Sequence, residues 1–253
     1  MERQRTPRKR RRSSLGLFVR LLLIFTILFI AIFAFFRANH IDIIGDSRYT
    51  DEQVLVAAGL EGTSPHLLWI NETEIRANIR EALPYVESVS VTRRLPNRVQ
   101  IEISESRAIA VVESAGNFAR LDHRARVLEL GDGVHPNESG IVRLTGIALL
   151  PTAQVGNTLP LTDSSIELDT LQEMLTLFQF LGLERHITQI DLSQQSNITF
   201  RAGDSLRVYL GDGAIIKGQL EKLPQLYEIL QTMSEFDVGV IDMRGEPIVF
   251  RPD

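Results

Sequence analysis

The sequence predicts an α+β protein attached to a membrane by one N-terminal transmembrane helix. Three observations support this prediction. Residues 21–36 contain no charged side chain. Residues 50–103 change from apolar positions at helical spacing to alternation of apolar and polar positions, which is typical of helices followed by strands. Residues 107–250 contain short apolar runs separated by turn residues, which indicate a mixed, β-rich second domain with two helices.

The apolar run is long enough to cross a bilayer. Residues 17–19 extend it to about 20 residues, which matches a hydrocarbon core of roughly 30 Å. Arg20 lies one turn inside this run, and its long side chain can reach the lipid headgroups. The alternative is a cleaved signal peptide, but such peptides have shorter apolar regions that end in small residues, whereas Phe35 and Phe36 end this one. We therefore expect an uncleaved anchor.

The charges of the chain are distributed unevenly. Residues 1–20 carry eight basic side chains against Glu2 alone, whereas residues 38–253 carry 18 basic and 31 acidic side chains. Because basic residues beside a span stay in the cytoplasm, we expect the N-terminus inside and the C-terminus outside. A nucleic-acid-binding arm is the weaker interpretation of the tail, and an acidic ectodomain suits no nucleic-acid partner. The absence of cysteine excludes disulfides and thiol nucleophiles, and favours a bacterial envelope.

The region after the anchor has the order strand, helix, helix, strand, strand. An apolar strand ends at Gly45, and a capping box of Thr50 and Gln53 begins the first helix. The second helix begins near Asn71 and ends by Pro84, and two alternating strands follow it. Because each element has one apolar face, we expect both helices on one side of a small sheet.

The second half combines short strands with two predicted helices. Asp163 or Ser164 is the predicted N-cap of the first helix, and the second helix is predicted from about Gln219 to Met233. Between these helices we predict several strands, the last of them Ala214–Lys217. The final strands are predicted at Val238–Arg244 and Ile248–Phe250.

Residues Leu83–Asn97 read Leu-Pro-Tyr-Val-Glu-Ser-Val-Ser-Val-Thr-Arg-Arg-Leu-Pro-Asn, and they follow a basic tail, an anchor and an Ile-Ile-Gly strand. This combination resembles the FtsQ/DivIB family of bacterial cell-division proteins, whose POTRA domain has the βααββ order given above. The second half resembles the β-domain of that family at four places: Leu121-Asp122, Leu206–Gly213, Lys222-Leu223 and Val240–Arg244. The chain departs from the family pattern at Tyr85, Ala108 and Gly245.

The resemblance implies a division of the chain and a function. The expected segments are a cytoplasmic tail (1–16), a transmembrane helix (17–36), a POTRA domain (38–106), a β-domain (107–246) and a C-terminal edge strand with its tail (247–253). The expected function is assembly of the divisome at the septum of the inner membrane, with regulation of septal peptidoglycan synthesis. The implied partners are FtsB or DivIC, FtsL and the septal peptidoglycan synthase complex.

Two groups of residues are candidate binding sites. A last strand near a chain terminus often lies at a sheet edge, where its unpaired backbone can accept a strand from another protein. By resemblance, the implied partner-binding residues are Asp242, Arg244, Ile248, Val249 and Phe250; the alternative is that they only complete the sheet. Arg93 and Arg94 are either a docking pair or the solvated end of a hairpin.

The sequence contains no pattern that predicts catalysis. The five histidines have no metal-ligand spacing, and neither a phosphate-binding loop nor a nucleophile elbow occurs. We therefore expect no enzyme activity, metal or cofactor. Polypeptide transport by a POTRA-bearing envelope protein is the alternative function, although the repeated strands of a membrane barrel are absent from the sequence.

Overall fold

A computed structural model describes residues 14–38, 40–45, 48–63, 65–135, 138–162, 166–203, 205–213, 216–233 and 237–252. Most of the predicted cytoplasmic tail, the proposed helix caps Asp163 and Ser164, and Asp253 lie outside these residues. The chain divides into two compact units. The first ends at Asn78 and also includes Val89–Ile103, whereas the second comprises Ile79–Ser88 and Ser104–Asp253.

The N-terminal helix, α1 (Ser14–Phe35), has the properties predicted for the anchor. Its segment Gly16–Phe33 is long and apolar enough to cross a membrane, and no residue of this segment is buried in the protein. Among the described residues it is the one helix that meets both conditions. The apolar side chains of α1 therefore have no protein core to cover them, which suits a helix surrounded by lipid.

The region after the anchor has the predicted βααββ order, with one addition. Its elements are β1 (His40–Ile44), α2 (Asp51–Ala57), α3 (Glu72–Ala82), β2 (Val86–Arg94) and β3 (Arg98–Glu105). The sheet order is β1-β3-β2, and β1 runs parallel to β3. The predicted capping box is confirmed, because the side chains of Thr50 and Gln53 each accept a hydrogen bond from the other residue's backbone N–H. The addition is a 3₁₀ turn, Leu67–Trp69.

Gly45 ends β1 because no other residue fits there. Its φ angle is +127°, and a Cβ atom at this position would collide with the carbonyl oxygen of Ile103 in β3. Glycine therefore allows the chain to leave β1 while remaining close to the neighbouring strand.

The second unit contains a nine-stranded mixed sheet of order β12-β11-β10-β9-β8-β7-β4-β5-β6. Its strands are β4 (Ala110–Ser114), β5 (Asn117–Leu121), β6 (Val127–Asp132), β7 (Val142–Thr145), β8 (Ile187–Asp191), β9 (Ile198–Ala202), β10 (Leu206–Gly211), β11 (Gly239–Asp242) and β12 (Val249–Pro252). Its helices are α4 (Leu168–Leu181), α5 (Ile216–Leu220) and α6 (Leu223–Thr232).

The helices of the second unit share one apolar core with the sheet. Phe178 of α4 packs edge-on against Phe200 of β9, with ring centroids 5.4 Å apart. The predicted α+β class is confirmed, but one predicted element is wrong: Ile216 and Lys217 belong to α5 rather than to a strand. Ile216 and Leu220 are both buried, and this i, i+4 spacing gives a helix, not a strand, one apolar face. The predicted second helix is consequently preceded by a separate short helix.

Asp122, which follows β5, is a buried hydrogen-bonding centre of the second unit. Its Oδ1 accepts the backbone N–H groups of Arg124 and Arg126 at 2.8 and 2.9 Å. Its Oδ2 accepts the Ser106 hydroxyl at 3.1 Å and Nε of Arg126 at 3.3 Å. Arg126 in turn donates through Nη2 to the Val86 carbonyl at 3.1 Å. Asp122 and Arg126 together thus join the segments around Val86 and Ser106 to the turn after β5.

We predict that Asp122→Ala lowers the free energy of unfolding by about 3 kcal/mol, because the Arg126 charge and two backbone N–H groups lose their buried acceptor. Urea denaturation of the full chain in detergent measures this change. Asp132→Ala, at an exposed position of β6, is the control and should change stability by less than about 0.5 kcal/mol. Equal effects of the two substitutions would contradict the role of Asp122.

Candidate interface at the C-terminal edge of the sheet

The strand β12 forms one end of the nine-stranded sheet. It pairs antiparallel with β11, from Gly239 opposite Pro252 to Asp242 opposite Val249. Its other side pairs with no strand within the described part of the chain. The predicted edge strand is therefore present, although it begins at Val249 rather than at Ile248.

The predicted binding residues at this edge divide between its two faces. Register partners lie side by side on one face of a sheet. Phe250 lies beside the buried Ile241 and is 38% exposed, so its ring lies on the core-facing side at the edge of the sheet. Val249 lies on the opposite, open face and is 41% exposed. Ile248, just before the strand, is partly buried against the core.

Gly239 permits the close approach of β12. A Cβ atom on Gly239 would collide with the carbonyl oxygen of Arg251 and would lie 3.0 Å from the ring of Phe250. The side-chain-free position therefore provides the space that the Phe250 ring and the β12 backbone occupy. The sequence does not predict this role, because a single glycine within a strand does not show which neighbour needs the space.

Asp242 and Arg244 form an ion pair where β11 ends. Nε and Nη2 of Arg244 donate to the two carboxylate oxygens of Asp242 at 2.9 and 2.8 Å, and the Arg244 backbone N–H donates to Oδ1 at 3.1 Å. The Arg244 guanidinium also lies 5.1 Å from the centre of the Tyr209 ring. The side chain of Asp242 is 15% exposed and that of Arg244 is 53% exposed. Arg244 is therefore the member of the pair that a partner can reach.

This pair changes the acidity of Asp242. The hydrogen bonds donated by the Arg244 side chain lower the pKa of the Asp242 carboxyl from 3.8 to about 2, against the opposing effect of burial. The same contact raises the pKa of Arg244. Both groups are charged at neutral pH, so the turn after β11 carries a fixed ion pair.

Lys222 holds the loop between β11 and β12. Its ammonium group donates to the backbone carbonyls of Gly245 and Met243 at 3.1 and 3.4 Å, and it lies 3.7 Å from the Glu246 carboxylate. Its side chain is mostly buried just before α6. The sequence places Lys222 in a family motif but does not indicate this role, because the contact of Lys222 with the loop depends on the tertiary fold.

Arg93 and Arg94 lie at the end of β2, far in sequence from the C-terminal edge. Arg93 forms an ion pair with Glu72 at 2.9 Å and donates to the Ile70 carbonyl at 2.9 Å. Arg94 donates to the Gln100 side chain at 3.1 Å. These contacts give both arginines a role within their own module, and docking through them stays a prediction.

The C-terminal edge presents one unpaired side of β12 within the described residues, together with partly exposed apolar side chains. No group of three or more His, Asp or Glu side chains within the described residues is placed to hold a metal ion.

A polar cleft of about 290 Å³ lies on the open face of β8–β10. Its lining includes Asp191, Arg207 and Tyr209, and the hydrogen bond from Ser193 lowers the pKa of Asp191.

Comparison with known proteins gives matches across both halves of the chain. Residues 36–106 match the family model "POTRA domain, FtsQ-type", and residues 110–244 match "Cell division protein FtsQ/DivIB, C-terminal". The second match alone covers more than half of the 253 residues. It ends at Arg244, so β12 lies outside the matched range.

Individual relatives of this chain are also named DivIB or FtsQ. The cell division protein DivIB of Clostridium acetobutylicum is 22% identical over 223 residues, which cover 85% of this chain and 82% of that protein. The cell division protein FtsQ of Streptomyces venezuelae is 31% identical over 87 residues, covering 34% of this chain and 32% of that protein. The extracytoplasmic domain of DivIB from Geobacillus stearothermophilus aligns over 52% of this chain and 99% of that structure, with 17% identity and a TM-score of only 0.32.

We predict that the Asp242–Arg244 pair contributes stability that disappears in acid. Because folding lowers the Asp242 pKa, this contribution is present above pH 3.8 and is lost as the pH falls towards about 2. Thermal unfolding of wild type and Asp242→Asn between pH 5 and pH 2 tests this. The difference in unfolding temperature between them should shrink across that interval, and a constant difference would contradict the assignment.

We predict that Lys222→Met loosens the loop between β11 and β12, because its carbonyl acceptors lose a charged donor. Amide hydrogen exchange of residues 243–250 should accelerate by about tenfold, with the rest of the sheet unchanged. Lys217→Met, at an exposed position of α5, is the matched control and should leave this exchange unaltered. Unchanged exchange in Lys222→Met would show that the loop does not depend on the ammonium group.

Proposed function

This chain belongs to the FtsQ/DivIB family of bacterial cell-division proteins, and we propose that it is a divisome assembly protein that links membrane partners at the septum. In this proposal it also regulates septal peptidoglycan synthesis and catalyses none of it. The observation that carries the proposal is that β12 pairs on only one side among the described residues of this family member. A binding surface, rather than a reaction centre, is then the functional part of the second unit.

The two ends of the nine-stranded sheet support an assignment of the interface to β12. At the other end, the beginning of β6 is covered by the segment around residue 157: the Val127 N–H donates to the Asn157 carbonyl at 2.8 Å, and Arg126 bridges to Thr158. No comparable cover lies over β12 among the described residues. An uncovered strand of four residues can accept a strand from a partner through backbone hydrogen bonds.

The side chains of β12 suit a protein partner. Phe250 and Val249 present partly exposed apolar surface on opposite faces, and Arg251 adds a charge on the open face. A partly buried aromatic anchor beside a charged rim is typical of binding hot spots. We propose that FtsB or DivIC, paired with FtsL, supplies the incoming strand, and that the complex they form communicates with the septal peptidoglycan synthase.

The membrane arrangement completes the proposal. The helix α1 anchors the chain in the inner membrane as a single span, with its basic N-terminal side in the cytoplasm and its C-terminus outside. Residues 38–106 then act as the POTRA domain, residues 107–246 as the β-domain, and residues 247–253 as the partner-binding edge and tail.

We predict that Phe250→Glu weakens capture of FtsB or DivIC by at least about tenfold, because a carboxylate replaces the apolar anchor beside β11. Capture of the tagged partner from solubilised membranes containing the full chain measures the effect. Phe180→Glu, at an exposed position of α4, is the matched control and should bind normally. Normal capture by a folded Phe250→Glu protein would remove β12 from the interface.

Depletion of the protein tests the function itself. Cells that lack it should become filamentous, and a fluorescent fusion should gather at midcell, because the divisome cannot assemble without its linking protein. Microscopy of cell length and fusion position provides the measurement. Division at normal length with no midcell signal would contradict a role in the divisome, whatever the binding result at β12.

A further inference from the structure

The 3₁₀ turn Leu67–Trp69 lies directly beside the end of the anchor helix. The Leu67 N–H donates to the Phe36 carbonyl at 2.9 Å, and the Ala38 N–H donates to the Pro65 carbonyl at 2.9 Å. These bonds join Phe36 and Ala38, just after α1, to the first residue of the turn and to Pro65 just before it. The turn is therefore held at the end of the helix by backbone contacts within the first unit.

His66 strengthens this connection. Its Nδ1 accepts the Leu68 N–H at 3.3 Å, so the proton lies on Nε2, which donates to the carbonyl of Phe33 at 3.0 Å. The ring of Phe33 lies 4.2 Å from that of His66 and 5.2 Å from that of Trp69, measured between centroids. The three rings form a cluster that fixes the position of Trp69 relative to the helix.

The side chains of the turn point in two directions. Leu67 is completely buried and secures the turn to the module, whereas Leu68 and Trp69 are 57% and 67% exposed. Two adjacent, large apolar side chains are thus held in the open beside Phe33. Arg37, exposed in the same place, adds a positive charge that suits lipid phosphates.

The position of Phe33 shows which surroundings these side chains meet. It closes the 18-residue segment Gly16–Phe33, whose length of about 27 Å nearly equals a hydrocarbon core, and the apolar run ends three residues later at Phe36. Phe33 therefore lies within about one helical turn of the level where the hydrocarbon ends and the headgroups begin. Tryptophan is enriched at this level of a membrane, because its ring is apolar and its N–H needs a polar partner.

We propose that the turn Leu67–Trp69 is a second membrane contact, in which Leu68 and Trp69 insert into the headgroup layer beside α1. This inference rests on the proposed anchoring of α1. The contact fixes the first unit against the bilayer surface, so that the module does not pivot freely on its anchor.

The chain contains a single tryptophan, which makes the contact directly measurable. The full chain is reconstituted into vesicles of phosphatidylethanolamine and phosphatidylglycerol, without any partner protein. Lipids with a spin-label quencher near the headgroup should reduce Trp69 emission by about twofold, and aqueous iodide should quench it far less than it quenches free N-acetyltryptophanamide. Quenching by iodide at the rate of the free compound, with no lipid effect, would overturn the proposal.

A reference variant separates this failure from a failure of the anchor. In the double variant Trp69→Phe/Phe29→Trp, the new tryptophan lies one turn, or about 6 Å, deeper along α1 than Phe33. One outcome is that lipids labelled deep in the acyl chain quench this variant while iodide quenches Trp69 of the wild-type chain as fast as the free compound. That result would support the anchor and contradict the lipid contact of the turn. If lipids quench neither Trp69 in the wild type nor the tryptophan at position 29 in the variant, both the anchor and the second membrane contact are contradicted. Shielding of Trp69 only after a partner protein is added would also overturn a lipid contact.

Discussion

The strand β12 has a neighbour on only one side among the described residues, and the function proposed for the second unit depends on this unpaired side. Free N–H and C=O groups at a sheet edge pair with any strand that approaches, so proteins limit such edges. Here the strand has only four residues, and it ends at Pro252, which has no N–H to donate. The short edge favours one docked segment over extended self-association.

Three features around β11 and the following loop hold this strand in place. Gly239 allows the backbone and the Phe250 ring to approach, the Asp242–Arg244 pair fixes the turn, and Lys222 holds the loop. A strand ordered before its partner arrives loses less conformational entropy on binding. The anchor α1 contributes in another way, because it confines the chain to the membrane that also holds its proposed single-span partners. Confinement raises the effective concentration of each binding surface without any new contact.

The features of the fold that sequence predicted correctly are those set by local periodicity and caps. The uncharged run of residues 21–36 predicted α1, and the capping box of Thr50 and Gln53 predicted the start of α2. The strand predicted at Ala214–Lys217 was wrong because the burial of Ile216 and Leu220 is decided by the core, not by local preference. Lys222 and Gly239 act through neighbours more than ten residues away, so no local pattern could indicate their roles.

The absence of native cysteine allows a direct test of strand pairing at β12. A single cysteine placed at Val249, on the open face, forms a disulfide most readily with the residue directly opposite it in a neighbouring strand, and less readily with the residues two positions away on the same face. Cysteines are then placed one at a time along the binding segment of FtsB or DivIC, and crosslinks to Val249→Cys are measured in membranes. The account predicts crosslinks at alternate positions, centred on one site, as a paired strand requires. Crosslinks every three or four positions, or none at all, would contradict it.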